Sequence, residues 1–187
     1  MVPPRPTHLA HLILRESIRP GDTVIDATAG NGHDTEFLAQ CVGATGHVLA
    51  FDLQDAAIHA ARAKISAAGF AARVTFYQEN HDQLAQHASA GSIKAVMFNL
   101  GYLPGVTHAL TTLTTTTLSA MAAAGSLLQS GGVLSVVCYP GHDAGAHESA
   151  AVESWLESRS DHGWRIAKYA MLGTLRPSPF LFIARTP

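Results

Sequence analysis

Asp26-Ala-Thr-Ala-Gly30-Asn31-Gly32 follows a short apolar run, Thr23-Val-Ile-Asp26, and precedes a segment with helical spacing. Glycines at such a junction let the backbone turn sharply and approach a ligand with no Cβ in the way. In an open α/β sheet the junction lies at the carboxyl end of the first strand, where ligands bind. A dinucleotide site would place a third glycine three residues after Gly32, for close helix packing, and that position is Thr35. Asp26 would also repel a phosphate. The turn therefore favours a ligand with a cationic centre over a pyrophosphate.

Asp52 ends the next apolar run, 26 residues after Asp26. A carboxylate there can accept both ribose hydroxyls of a nucleoside, and Gln54 lies just beyond to reach the ribose or the base. This placement supports a nucleoside without choosing which one. A second constellation, Asn99-Leu-Gly-Tyr102-Leu-Pro104-Gly105, follows the fourth apolar run. The Asn99 carbonyl and the Leu100 backbone can hold the hydrogens of an amine so that its lone pair faces an electrophile, while Tyr102 packs against a planar base. Proximity and alignment supply much of the rate in such a displacement. Asn, Gly and Pro also make turns for backbone reasons alone, and spacing by itself leaves that reading open.

The elements that must position these residues alternate. Helical spacing is expected over 8–18 (Leu9, Leu12 and Ile13 inward), 33–42, 55–68, 110–128 and 146–158, with a short helix over 81–87. Strands are expected over 23–26, 47–52, 73–77, 93–98 and 133–139, closing with 164–172 and 180–184, which have no helix between them. Near-continuous apolar strands separated by helices imply a parallel sheet covered on both faces, and the last pair must be an antiparallel hairpin. The expected fold is a Rossmann-like α/β domain over residues 1–187: a mostly parallel seven-stranded sheet with a C-terminal antiparallel hairpin and helices on both faces.

Composition narrows the class. Charged residues make up only 14% of the 187-residue chain, against about 25% for a typical soluble protein, which suggests a surface partly covered by a second subunit; a homodimer is expected. The net charge of −2 gives no whole-chain signature of nucleic-acid binding. The 162–187 stretch nevertheless carries Arg165, Lys168, Arg176 and Arg185 with no acidic residue. Cys41 and Cys138 sit in apolar runs and read as buried thiols of a reducing compartment. No apolar run reaches the ~18 residues of a membrane span, so a soluble, cytoplasmic protein without membrane association is expected. Eleven histidines invite a metal, yet none forms HExxH or a Cys/His pairing at ligand spacing, and no metal is expected. No Gly-x-Ser-x-Gly elbow is present.

The sheet of five βα units with a terminal hairpin resembles that of class I methyltransferases, and acid-x-x-x-Gly-x-Gly resembles their first motif. Asp26 to Thr35, Phe51-Asp-Leu-Gln54, Asn99 to Gly105 and Tyr139-Pro-Gly-His142 together resemble the small "putative rRNA methylase" (YtqB-like) family, over nearly the whole chain from Leu9 to Phe180. The resemblance implies S-adenosylmethionine as cofactor and the amine of 5-aminomethyl-(2-thio)uridine, at the wobble position in the tRNA anticodon region, as methyl acceptor, as in MnmM-type enzymes. It further implies that Asp26, Gly30, Asn31, Gly32, His33, Asp34 and Thr35 serve the amino-acid tail of the cofactor. Asp52 and Gln54 would take the ribose, Asn80 and His81 the adenine edge, and Asn99 the junction with the acceptor. Asn99, Tyr102 and His142 are the expected catalytic residues, with His142 favoured over His81, Asp143 and Glu148 to take the amine proton. Position 29 is Ala where the family pattern has Cys, and position 140 is Pro where it has His.

Overall fold

A computed structural model describes residues 3–101 and 113–187. Seven strands form one sheet in the order β3-β2-β1-β4-β5-β7-β6. They are β1 (Thr23–Asp26), β2 (His47–Phe51), β3 (Val74–Tyr77), β4 (Ile93–Asn99), β5 (Leu128–Cys138), β6 (Arg165–Tyr169) and β7 (Phe180–Arg185). The first five run parallel, whereas β7 pairs antiparallel with both β5 and β6. Five helices accompany them: α1 (Pro6–Ser17), α2 (His33–Val42), α3 (Asp55–Ala67), α4 (Thr114–Leu127) and α5 (Asp143–Ser160).

The period-2 alternation of β4 shows how both faces are filled. Ala95 and Met97 join Val24, Val48 and Val137 in a core capped by α1 and α2 through Ala10, Leu14, Phe37 and Leu38. Val96 and Phe98 point the other way and join Ile25, Phe51 and Val136 beneath Met121 and Ala124 of α4 and Val152 and Leu156 of α5. Such two-sided burial is why these strands read as unbroken apolar runs.

Chain order leaves β1 outward to β2 and β3 and returns to β4 on the other side of β1. The crevice at this reversal, at the carboxyl ends of β1 and β4, is the place an open α/β sheet offers a ligand. Asp26, Asp52 and Asn99 stand at the ends of β1, β2 and β4 respectively.

Several boundaries differ from expectation. α1 starts at Pro6, whose fixed φ suits a first helical position, and it buries Pro6, Ala10 and Leu14 while Leu12 is 47% exposed. The i, i+4 row Pro6-Ala10-Leu14 faces the sheet, with Leu9 packed at its margin and Leu12 turned outward. The 81–87 segment is a tighter 3-10 helix, His81–Gln86. β5 begins five residues early at Leu128, because Leu128 pairs with Ile93 before a register shift passes through Gly131, at φ +68°. The expected start of the fourth long helix at 110 lies outside the described residues. No helix among the described residues is long and apolar enough to cross a membrane.

Candidate active site

The glycine turn is held by main-chain bonds to neighbouring strands. Ala27 N–H donates to the Met97 carbonyl on β4 and Ala29 N–H to the Phe51 carbonyl on β2, both at 2.8 Å. Gly30 (φ +49°) and Gly32 (φ +77°) adopt the left-handed region that disfavours a side chain. Gly32 also starts α2 so close to α3 that a Cβ would lie 2.8 Å from Ala61 Cα. The turn is thus a cradle that side chains would fill, and Asn31 and His33 stand exposed around it.

Asp26 is fully buried beneath the cradle. It accepts from Thr28 N–H at 3.1 Å and from the Thr35 hydroxyl at 2.6 Å. Burial, with the charge of Asp34 adding to it, pushes the Asp26 carboxyl up to about 7, against the lowering effect of the two hydrogen bonds. Thr35 is itself fully buried and spends its hydroxyl on Asp26. At the position where a dinucleotide fold would need glycine, this chain places a brace for its buried acid, not a group reaching toward the tail of a ligand.

Asp52 is fixed by two main-chain donors, Gly30 N–H to Oδ2 at 2.8 Å and Gln54 N–H to Oδ1 at 2.9 Å. Each carboxylate oxygen keeps a further acceptor site, which suits a vicinal diol. Asn80 caps the following 3-10 helix by accepting from Asp82 N–H. His81 packs its ring edge-on against Phe98 at 5.7 Å. Its Nε2 is buried and makes no hydrogen bond among the described residues, and burial lowers its pKa, favouring the neutral ring. A glycine cradle, a pre-fixed carboxylate and an orphaned ring nitrogen are the donor and acceptor set a nucleoside with an amino-acid tail requires.

The other half of the crevice centres on Asn99. Its backbone N–H donates to Thr28 Oγ1 at 2.7 Å, and its Nδ2 donates to Asp34 Oδ2 at 3.1 Å. The second Asp34 oxygen bonds His11 Nε2 at 2.7 Å, and the His11 ring stacks on Phe37 with centroids 3.9 Å apart and planes 5° from parallel. Asn99 Oδ1 is buried and makes no hydrogen bond among the described residues. Tyr139, at the end of β5, lies against Gly101, where a Cβ would meet its ring at 3.5 Å. Burial and the Asp34 charge raise the Tyr139 phenol, with Asn99 acting in the opposite direction.

Asp34 therefore faces the Asn99 end of the crevice with both oxygens engaged. Tyr102 lies outside the described residues. His142 is the N-cap of α5, its Nδ1 accepting from Gly145 N–H at 3.0 Å. That bond puts the proton of the neutral ring on Nε2 and gives His142 a capping role at the start of α5. Among the described residues no three His, Cys, Asp or Glu side chains are grouped to hold a metal. Sequence reasoning missed His11, Thr28 and Tyr139 as members of the site: Thr28 and Tyr139 stand inside the 26–35 and 139–142 motifs, but each meets Asn99 or Asp34 only through the fold.

Sheet order, hairpin and switch-point cleft define a class I methyltransferase fold. The chain belongs to the family described as "Putative rRNA methylase", whose model matches residues 48–185. A putative rRNA-methylase from Clostridium thermocellum superposes with a TM-score of 0.96 at 34% identity, each chain fully covered. SMU.1697c, a putative methyltransferase from Streptococcus mutans in complex with SAH, gives 0.89 at 28% identity, again with full coverage of both chains. A chloroplastic tRNA (mnm(5)s(2)U34)-methyltransferase from Arabidopsis thaliana is 37% identical over 175 residues, 89% of this chain and 64% of that protein. The chain thus spans somewhat less than two thirds of that plant relative.

Proposed function

We propose that this chain is an S-adenosylmethionine-dependent N-methyltransferase that converts 5-aminomethyl-(2-thio)uridine at the tRNA wobble position to 5-methylaminomethyl-(2-thio)uridine. The observation that carries the amine acceptor is Asn99, with its amide nitrogen tied to Asp34 and its carbonyl oxygen buried with no hydrogen bond among the described residues, at the mouth of β4. The plant relative's name supports tRNA as the bearer of that amine, and the SAH complex of the streptococcal relative supports the cofactor.

When bound, the cofactor supplies an electrophilic methyl group on a sulfonium. Asp52 accepts the ribose hydroxyls, Gln54 flanks them, and Asn80 with His81 offers a polar edge for the adenine. Gly30, Asn31, Gly32 and His33 surround the amino-acid tail, while Asp26 and Thr35 brace the turn from below. Asn99 Oδ1 accepts an N–H of the acceptor amine and so turns the lone pair toward the methyl group. An alkyl amine titrates near 10.4, like lysine, so the acceptor must shed a proton before attack. Tyr139, beside Gly101, walls the acceptor end. Exposed Arg165 and Arg176 are cations available to the RNA backbone, whereas Lys168 is tied to Glu153 at 2.6 Å. The two free thiols, Cys41 and Cys138, suit a reducing, cytoplasmic setting, and the low charge content fits a homodimer.

Nucleoside mass spectrometry of RNA from cells lacking the protein tests the reading. Accumulation of 5-aminomethyl-2-thiouridine in tRNA is expected, and an unchanged tRNA profile overturns it. The family's description favours ribosomal RNA as a second reading; loss of a methylated nucleoside from the rRNA fraction, with tRNA unaltered, would establish that one instead.

A further inference from the structure

We propose that His11 and Asp34 are positioning residues for the acceptor amine, acting through the Asn99 side chain. An asparagine amide can sit in two orientations 180° apart, presenting either an acceptor or a pair of donors to whatever approaches. Only the acceptor edge can hold an amine N–H. A carboxylate accepts and does not donate, so Asp34 selects the orientation in which Nδ2 points to itself, at 3.1 Å, and Oδ1 to the crevice.

Asp34 needs holding in its turn. It lies in the first turn of α2, where unpaired N–H groups and the helix dipole attract a carboxylate. His11 draws it away from that end with a 2.7 Å bond to Oδ1, made between side chains only 26% and 11% exposed. The His11 ring is oriented toward Asp34 by lying flat on Phe37, over which Arg15 also sits at 5.4 Å from the ring centroid. The groups facing this pair are Tyr139 from β5, Asn99 from β4 and Asp26 beneath. Helix α1, which precedes the residues matched by the family model, thereby sets the chemistry of a residue at the far end of β4. A residue serving only packing would have no use for a donor aimed at a buried carboxylate.

The kinetic consequence rests on the amine-methylation reading; the conformational one does not. His11→Phe keeps the stack on Phe37 and removes the donor, and His11→Gln restores a donor. On an anticodon stem-loop carrying aminomethyl-uridine, His11→Phe should lower kcat about tenfold with SAH affinity unchanged within about twofold, and His11→Gln should recover most of the loss. In an Asn99→Ala background His11→Phe should cost nothing further. Without any acceptor, the side-chain amide signals of Asn99 in 15N-labelled protein should be protected from exchange in the parent and in His11→Gln, and lose that protection in His11→Phe. An unmoved Asn99 signal, or the same kcat penalty with and without Asn99, overturns the proposal. If the parent fails to methylate this RNA while the Asn99 signal responds to His11, the tRNA reading falls and the positioning role stands.

Discussion

On the nucleoside side of the crevice, backbone holds the half-buried carboxylate: Gly30 and Gln54 N–H groups fix Asp52 at 2.8 and 2.9 Å, while the buried Asp26 takes Thr28 N–H at 3.1 Å beside the Thr35 hydroxyl at 2.6 Å. On the acceptor side, side chain holds side chain: His11 to Asp34 at 2.7 Å and Asn99 to Asp34 at 3.1 Å, across 23 and 65 positions of sequence. The first arrangement is rigid because main-chain donors have nowhere else to go. It should fail when the path of the chain is altered. The second depends on individual polar atoms and should fail when any one is deleted, while the fold survives.

The largest expected effect lies on the acceptor side. Asn99→Ala removes the side-chain acceptor proposed for the amine and should lower methyl transfer about 10²- to 10³-fold, the scale of deleting one aligned hydrogen-bonding group from a transition state. SAH affinity, measured by calorimetry, should stay within about threefold. A variant that kept full activity would remove Asn99 from the chemistry.

Next comes Gly32→Ala, the converse case. The new Cβ adopts a left-handed φ of +77° and meets Ala61 Cα at 2.8 Å. Backbone strain and overpacking together should cost about 2–4 kcal/mol in denaturant unfolding, with SAH binding weakened in step as α2 and α3 part. Unaltered stability would mean that α3 shifts freely, contrary to the packing of Ile58 and Ala61 in buried positions. Third, Asp52→Ala should weaken SAH binding about 10- to 100-fold by removing a charged acceptor, and leave kcat at saturating cofactor nearly unchanged. An equal fall in kcat would show that the two halves of the crevice are not separable.

This division also explains what was legible in the sequence. β1 and α2 fall on the expected residues, 23–26 and 33–42, because a run of apolar residues, two glycines and a helical period sit next to one another there. Asp26, Gly30, Gly32 and Asp52 could be placed for the same reason: strand ends and turns are local. The buried stripe of α1 was misread, since Ala10 and Leu14 face the sheet while Leu12 does not, and only the shape of the surface beneath decides which row that is. Spacing points Thr35 toward a ligand, whereas its hydroxyl serves Asp26, because its environment is set by burial rather than spacing. His11 has no local signal as a site member, and Tyr139, although it opens the 139–142 motif, has none that links it to Asn99. They come from opposite ends of the chain and converge only because β5 and α1 pack around the switch point.

The smallest effect concerns Asp26, where the rigid side of the crevice carries a stability cost. Its carboxyl is pushed up to about 7 in the folded protein from an ordinary value of 3.8, chiefly by burial. The folded chain therefore binds a proton more tightly than the unfolded chain, and stability falls as pH rises from about 4 to about 7 and then levels off. Asp26→Asn removes this dependence. Asparagine can keep its Oδ1 on Thr28 N–H and donate from Nδ2 to the Thr35 hydroxyl, which accepts as readily as it donates, so the brace survives without the charge. Thermal unfolding without ligand should show Asp26→Asn melting several degrees above the parent at pH 8, with the gap narrowing as pH is lowered through 7 toward 4. A gap independent of pH would mean that Asp26 carries no proton linkage. A gap of the opposite sign would mean that the Thr28 and Thr35 bonds outweigh desolvation, making the buried acid a stabilising part of the turn.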